Sequence, residues 1–369
     1  MCRKPVKRLP FLRLSGDHRE RHLSKLREDR CRLTFFRHLR GWLVLLLLMP
    51  LVAGADPTLR VAVISDLNGS YGSARYDADV DRAIERIIEL QPELVISTGD
   101  MVAGQRRPHL TRTEVEGMWS AFHQHVSEPL RDAGIPLAVT PGNHDGSAYT
   151  GFSLEREIYD RQWQSRRPDL QFIDDRGYPF YYAFVVGHVL FISLDATVVG
   201  HLPVEQMQWL RTMLTKHGRN YSRRVVFSHV PLWPLARGRE REYIGDPGLQ
   251  KLLADEGVEL YLSGHHHAFY PAVHHGIGFV GQACLGAGPR SLIGTPQRSS
   301  RSFTILELGS ETILVSAYRA PQFDEVIDWA TLPASIRSTA AELLRADLAD
   351  SGVIGPGVAI HGSERLLAE

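Results

Sequence analysis

Residues 135–145 read IPLAVTPGNHD. An apolar, β-branched run stops at Pro141, and a glycine, an amide, an imidazole and a carboxylate follow without a break. Such a run, bounded by proline and glycine, predicts a short buried strand over Ile135–Thr140. The polar group then falls at its carboxyl end. The same arrangement recurs on both sides. Leu59–Ile64 runs into Ser65-Asp66, and Leu94–Ser97 into Gly99-Asp100. Arg224–Phe227 runs into Ser228-His229, and Val258–Leu262 into Ser263-Gly264-His265-His266-His267.

Helical patterns separate these strands. Ala78–Leu90 puts Val80, Ile84, Ile87 and Ile88 on one face. Further helices are expected over Thr113–Asp132, Val204–His217 and Gly248–Asp255. Phe180–Val186 and Val189–Leu194 read as a hairpin turned at Gly187-His188. Gly278–Leu285, Phe303–Leu308 and Thr312–Ala317 read as closing strands, and Leu332–Leu348 as a helix. Alternating strands and helices imply an α/β protein with helices packed outside a sheet.

In open α/β sheets the ligand site lies beyond the carboxyl ends of the strands. Asp and Asn after a strand are common turn formers, so each polar residue alone has an ordinary explanation. Five strands ending in metal-capable residues do not reduce to turn chemistry. Carboxylate, amide and imidazole suit Mn, Fe and Zn. Two such ions about 3.5–4 Å apart clamp the attacking and leaving oxygens of an in-line displacement. His265 and His267 are expected to serve two different metals from an extended segment passing beside the pair. His266 is expected to face elsewhere, towards solvent or behind the ligands.

The ordered set Asp66, Gly99-Asp100, Gly142-Asn143-His144-Asp145, His229 and Gly264-His265-His266-His267 resembles the calcineurin-like metallophosphoesterase superfamily, over about residues 59–318. The resemblance implies a four-layer α/β/β/α sandwich. It also implies two divalent or trivalent metal ions (Mn, Fe or Zn), with Asp66 and His267 on the first, Asp100 bridging, and Asn143, His229 and His265 on the second. His144 is implied as the catalytic residue assisting the substrate and leaving group. The implied reaction is hydrolysis of phosphomonoesters or phosphodiesters by in-line attack of a metal-bridging hydroxide. One departure stands out. The family opens with D-x-H, whereas this chain has Asp66-Leu67-Asn68. The purple acid phosphatase branch also lacks that histidine but has a tyrosine three residues after the second Asp, where this chain has Ala103. Two fillings of the gap are expected alternatives: the amide oxygen of Asn68 as substitute ligand, or water. A non-catalytic metal or phosphoryl-ligand binding protein of the same descent is the alternative reading. Outside the motifs, Arg290 is a candidate partner for phosphate oxygens, and Tyr71 and Tyr76 are candidates to stack on a leaving group.

The ends of the chain differ from the middle. Of 369 residues, 43% are hydrophobic and 23% charged, as in globular proteins, and three cysteines exclude a disulfide-stapled scaffold. The zero net charge is a cancellation: residues 1–41 hold 13 Lys+Arg against 4 Asp+Glu. The uncharged run 41–55, GWLVLLLLMPLVAGA, reaches only about 22 Å as a helix, short of the roughly 30 Å hydrocarbon core. With its basic flank and Ala53-Gly54-Ala55, it reads as a signal peptide cut after Ala55, or else as a membrane anchor. The expected organisation is therefore residues 1–55 for targeting, 56–320 for the phosphoesterase domain and 321–369 as a helical C-terminal extension. The mature chain is expected in the periplasm or outside the cell. A phosphate ester is the expected partner, and the sequence carries no nucleic-acid-binding signature.

Overall fold

A computed structural model describes residues 58–360 except 287 and 351. The expected signal segment and its cleavage point lie outside the described residues. Among the described residues no helix is long and apolar enough to cross a membrane.

The chain opens with β1 (Leu59–Ile64), α1 (Ala78–Leu90) and β2 (Leu94–Ser97). Next come α2 (Arg112–Phe122), α3 (Glu128–Asp132) and β3 (Leu137–Val139). A π-helical turn, His123–Ser127, joins α2 to α3, so the expected helix over 113–132 is one rod with a bulge in it. A capping box starts α2, in which Thr111 and Glu114 each satisfy the other's backbone N–H. Then follow α4 (Ser153–Ser165), β4 (Gln171–Gly177), β5 (Tyr181–Val186), β6 (Val189–Ser193), α5 (Val204–His217), β7 (Arg223–Ser228), α6 (Pro247–Asp255) and β8 (Leu260–Ser263). The chain continues through β9 (Tyr270–His274), β10 (Ile277–Gly281), β11 (Ser302–Leu308) and β12 (Ile313–Arg319). It ends with β13 (Ser335–Arg337), β14 (Glu342–Arg345) and β15 (Ile354–Pro356).

The strands make two sheets. One has the order β15-β12-β11-β1-β2-β3, the other β13-β14-β9-β10-β8-β7-β6-β5-β4. The β1-β2-β3 and β6-β7-β8-β10 stretches are parallel. Period-two burial explains the layering. Val189, Phe191, Val225, Phe227, Leu260 and Leu262 turn inward to join β1 and β11 residues in one core. Leu190, Ile192, Val226 and Tyr261 turn outward, onto Trp209, Leu210, Leu249 and Leu252 of α5 and α6. Val80, Ile84 and Ile87 of α1 cover the outer face of the first sheet. The result is the α/β/β/α sandwich.

Four expectations need correction. The chain over 332–348 is not a helix, although AAELLRADL favours one by propensity. Ile336 and Leu343 are buried on the outer face of the larger sheet, while Leu344 between buried neighbours is exposed, the alternation of a strand. Buried Arg345 donates to the carbonyls of Trp329 and Leu332 and ties the segment down. Second, residues 321–360 are not an appendage: β14 pairs with β9 and β15 with β12, extending both sheets. Third, the chain also forms α4, β4 and β9, in stretches to which the sequence pattern assigns no element. Fourth, the segment carrying the histidine triplet is not extended. Asp66, Asp100, His265 and His267 all have left-handed φ, between 50° and 66°.

Candidate metal centre

The strand ends β1, β2, β3, β7 and β8 deliver Asp66, Asp100, Asn143, His229 and the histidine triplet to one place. The left-handed φ values explain how. Just beyond β1, β2 and β8 the backbone turns sharply at Asp66, Asp100, His265 and His267, and their side chains swing over the sheet edge instead of continuing the pleat. Gly142 permits the closest approach: a Cβ there would overlap the backbone nitrogen and Oδ1 of Asp100. Buried Asp145 pins the same two loops together, accepting from the amides of Met101 (2.6 Å) and Gly142.

Four donor atoms converge on one side. Nε2 of His229 lies 2.9 Å from Asn143 Oδ1, 3.2 Å from His265 Nδ1 and 3.3 Å from Asp100 Oδ2. On the other side, ligand atoms of Asp66, Asp100 and His267 lie within 4.8 Å of one another, with His267 Nε2 3.1 Å from Asp66 Oδ1. Asp100 belongs to both groups. Asn68 lines the same cavity as Asp100, Asn143, His265 and His267, and its Oδ1 is buried with no hydrogen-bond partner among the described residues.

The far nitrogen of each histidine is occupied. His229 Nδ1 donates to Thr98 O at 2.8 Å, His267 Nδ1 to Gly288 O at 3.1 Å, and His265 Nε2 to the Glu242 carboxylate at 2.8 Å. Each ring therefore aims its remaining nitrogen at the carboxylates and at Asn143, as imidazoles do when the second nitrogen is fixed for metal binding. Gln105 orients Asn143 by accepting from its Nδ2 at 2.8 Å, which leaves Oδ1 facing His229.

The electrostatics point the same way. Burial disfavours the His229 cation, but the Asp100 carboxylate outweighs it and pushes the imidazole up to about 9. His267 is held well above its usual range by Asp66, again against burial. Burial works against ionising Asp66 and Asp100 as well, and the neighbouring His267 and His229 win. Without a metal, then, protons sit between acceptor atoms at both groups. A cation suits those positions better than an orphaned amide oxygen and two buried imidazolium–carboxylate pairs.

His144 stands apart from this set. Its Nδ1 donates to Gly104 O at 3.0 Å, and its Nε2 lies 3.8 Å from Asp100 Oδ2 at the cavity wall. His266 does not face solvent. It is fully buried, accepts from the amides of Leu235 and Ala236, and donates to Glu242 O, and burial with neighbouring His265 pushes it down to about 3. Tyr76 is also structural, its buried hydroxyl donating to Met101 O. Tyr71 and Arg290 both reach the cavity.

A family model, calcineurin-like phosphoesterase, matches residues 59–269. The chain belongs to that family. The family is dimetal-dependent, and its members are hydrolases acting on phosphoric esters. Among curated proteins, the chain is 24% identical over 243 residues to purple acid phosphatase 15 of Arabidopsis thaliana, covering 60% of this chain and 42% of that one. It is 24% identical over 257 residues to tartrate-resistant acid phosphatase type 5 of Oryctolagus cuniculus, covering 63% and 75%. A crystal structure of a dimetal phosphatase from Danio rerio superposes with a TM-score of 0.53 at 18% identity, covering 71% of this chain and 96% of that one. This last likeness concerns the fold.

The family motifs did not flag Gln105, Glu242 or Arg239. All three sit in loops, and their roles arise only when those loops fold over the strand ends. An ion pair joins Arg239 to Glu242, which in turn holds His265. The sequence spacing of two between Glu240 and Glu242 gives no hint of which one turns inward.

Proposed function

We propose that this chain is a phosphoesterase in which Asp66, Asn68, Asp100 and His267 hold one metal ion, and Asp100, Asn143, His229 and His265 a second. The observation that carries the reading is the fixed far nitrogen on all three histidines, which aims their near nitrogens at one carboxylate-lined cluster. Two cations held there would supply Lewis acidity towards water and the phosphoryl oxygens. Asp100 spans both groups and so holds them in fixed register. His144, anchored through Nδ1 to Gly104, acts here as an imidazolium: its Nε2–H faces the leaving oxygen and gives it the proton as the oxygen of water bonds to phosphorus and the ester P–O bond breaks. Arg290, half-buried in the cavity with an Nε that has no hydrogen-bond partner among the described residues, pairs with phosphate oxygens. Ligands richer in oxygen than nitrogen at the first group favour Mn there over Zn.

The experiment is hydrolysis of p-nitrophenyl phosphate and bis-p-nitrophenyl phosphate after loading with Mn, Fe, Zn or Co. We expect turnover of the monoester, in line with the acid phosphatase names of the relatives. Folded, metal-loaded protein that turns over neither compound overturns the reading, and the binding-protein alternative then stands. We further propose an exported mature chain beginning at Asp56. N-terminal sequencing of native protein tests this, and an intact segment 41–55 in the membrane fraction replaces it with an anchored form.

A further inference from the structure

The cavity is larger than a metal cluster and one phosphate require. Its volume is about 660 Å³, within the roughly 300–1,000 Å³ range of small-molecule sites. Its lining includes Asp100, Asn143, His144, His265 and His267. Tyr71, Tyr149 and Val199 line the same cavity. These three are among eight large hydrophobic side chains exposed among the described residues. Single exposed apolar residues are ordinary, but three of the eight gathered in one polar cavity are not scattered.

Tyr71 is the most telling. It is 59% exposed, yet its ring centroid lies 5.0 Å from that of His144, tilted by 55°. Its backbone is pinned: the next residue, Gly72, has a φ of 78°, and its amide donates to Ala103 O at 2.6 Å. A ring held out on a fixed backbone pays hydration cost with no packing return until something covers it.

We propose that Tyr71, with Tyr149 and Val199, forms a subsite for a planar aromatic leaving group of the phosphate ester. The inference rests on the proposed role of His144. If His144 protonates the leaving oxygen, the atoms bonded to that oxygen lie beside His144, and the ring beside His144 is Tyr71. A flat aromatic group gains offset or edge-to-face contact with that ring in addition to buried area, whereas an aliphatic group gains area alone.

The test compares 2-phenylethyl, 2-cyclohexylethyl and ethyl phosphate on the metal-loaded protein. All three leave as primary alcohols, so chemical reactivity is nearly matched and the ring is the variable. We expect kcat/KM to be about threefold to tenfold higher for the phenyl than for the cyclohexyl ester, and lowest for ethyl. Tyr71→Leu should bring the phenyl-to-cyclohexyl ratio close to one, and Tyr71→Phe should keep it. A ratio at or below one in the unmodified protein, or a ratio indifferent to Tyr71→Leu, overturns the proposal. If no ester is turned over, the phosphoesterase reading has failed, and binding decides the subsite. Calorimetry with 2-phenylethylphosphonate and 2-cyclohexylethylphosphonate supports the subsite if the phenyl compound binds tighter, and overturns it if binding is equal or weaker.

Discussion

The Glu242 carboxylate accepts a hydrogen bond from Nε2 of His265 at 2.8 Å, and this leaves His265 Nδ1 facing His229 Nε2 across 3.2 Å. A neutral imidazole carries one proton, so a donor at Nε2 makes Nδ1 the lone-pair nitrogen. Glu242 is itself held by Arg239 and, with His265 as a partner, is pulled down to about 2, so it stays an acceptor at any working pH. A surface loop thereby selects which nitrogen of a strand-end histidine looks into the cluster.

Glu242→Ala should therefore weaken one metal and not the other. Loss of such an outer contact typically lowers metal affinity about 10–100-fold. Calorimetric metal titration should show two sites in the unmodified protein, with only the Asn143–His229–His265 site displaced in the variant. Glu242→Gln keeps an acceptor oxygen and should fall between. Equal weakening of both sites would mean that Glu242 acts through the fold.

Gly142→Ala tests the close approach between the β2 and β3 loops. The added Cβ meets backbone, which cannot move away as a side chain can, so Asp100 or the 141–145 loop must shift. Overpacking of this kind costs about 1–3 kcal/mol. We expect a lower thermal midpoint and loss of bound metal together. Retained metal with a lower midpoint would show that the loops give way elsewhere.

His123 supplies a pH dependence remote from the cluster. It is buried in the π-helical turn between Ser127 and Gln162, and burial, aided by Arg166, pushes it down to about 4 from 6.5. Its folded pKa lies below its unfolded one, so the unfolded chain binds the extra proton first. Stability is whole above about pH 6.5 and is lost as pH falls towards 4, by on the order of 2–3 kcal/mol. His123→Gln cannot titrate. Its thermal midpoint should fall less between pH 7 and pH 4 than that of the unmodified chain, and parallel curves would refute the assignment.

What the sequence reveals follows the range of the interactions. Helix α1 and strands β1 and β2 are legible to the residue, because a buried face imposes its own period and Pro92 stops the helix. The strand-end polar groups are legible because their order alone specifies a site. The left-handed turns that aim them are not, since Asp and His adopt such φ values only where tertiary contacts hold them. Segment 332–348 misleads for the opposite reason. Its local helix preference is real, but pairing of β14 with β9 and burial of Leu343 outweigh it. Glu242 and Gln105 leave no local trace, because each acts across a loop on a residue distant in sequence.

Asn68 joins the two halves of this reading, because it departs from the family pattern and its buried Oδ1 has no hydrogen-bond partner among the described residues. A buried carbonyl oxygen without a donor costs about 1–3 kcal/mol. We expect a cation at the Asp66–His267 group to satisfy it. Asn68→Ala removes the orphan, so the metal-free variant should melt no lower than the unmodified chain. Adding Mn should then raise its midpoint less, since a bound ion stabilises in proportion to its affinity. Asn68→His should do the reverse at this site, tightening the first metal and shifting preference from Mn towards Zn, as imidazole replaces a harder amide oxygen. The measurements are metal content by mass spectrometry and thermal midpoint against metal concentration for all three proteins. If Asn68→Ala lowers the metal-free midpoint while leaving metal affinity unchanged, the amide serves the turn before Gly69, and the first metal is held without it.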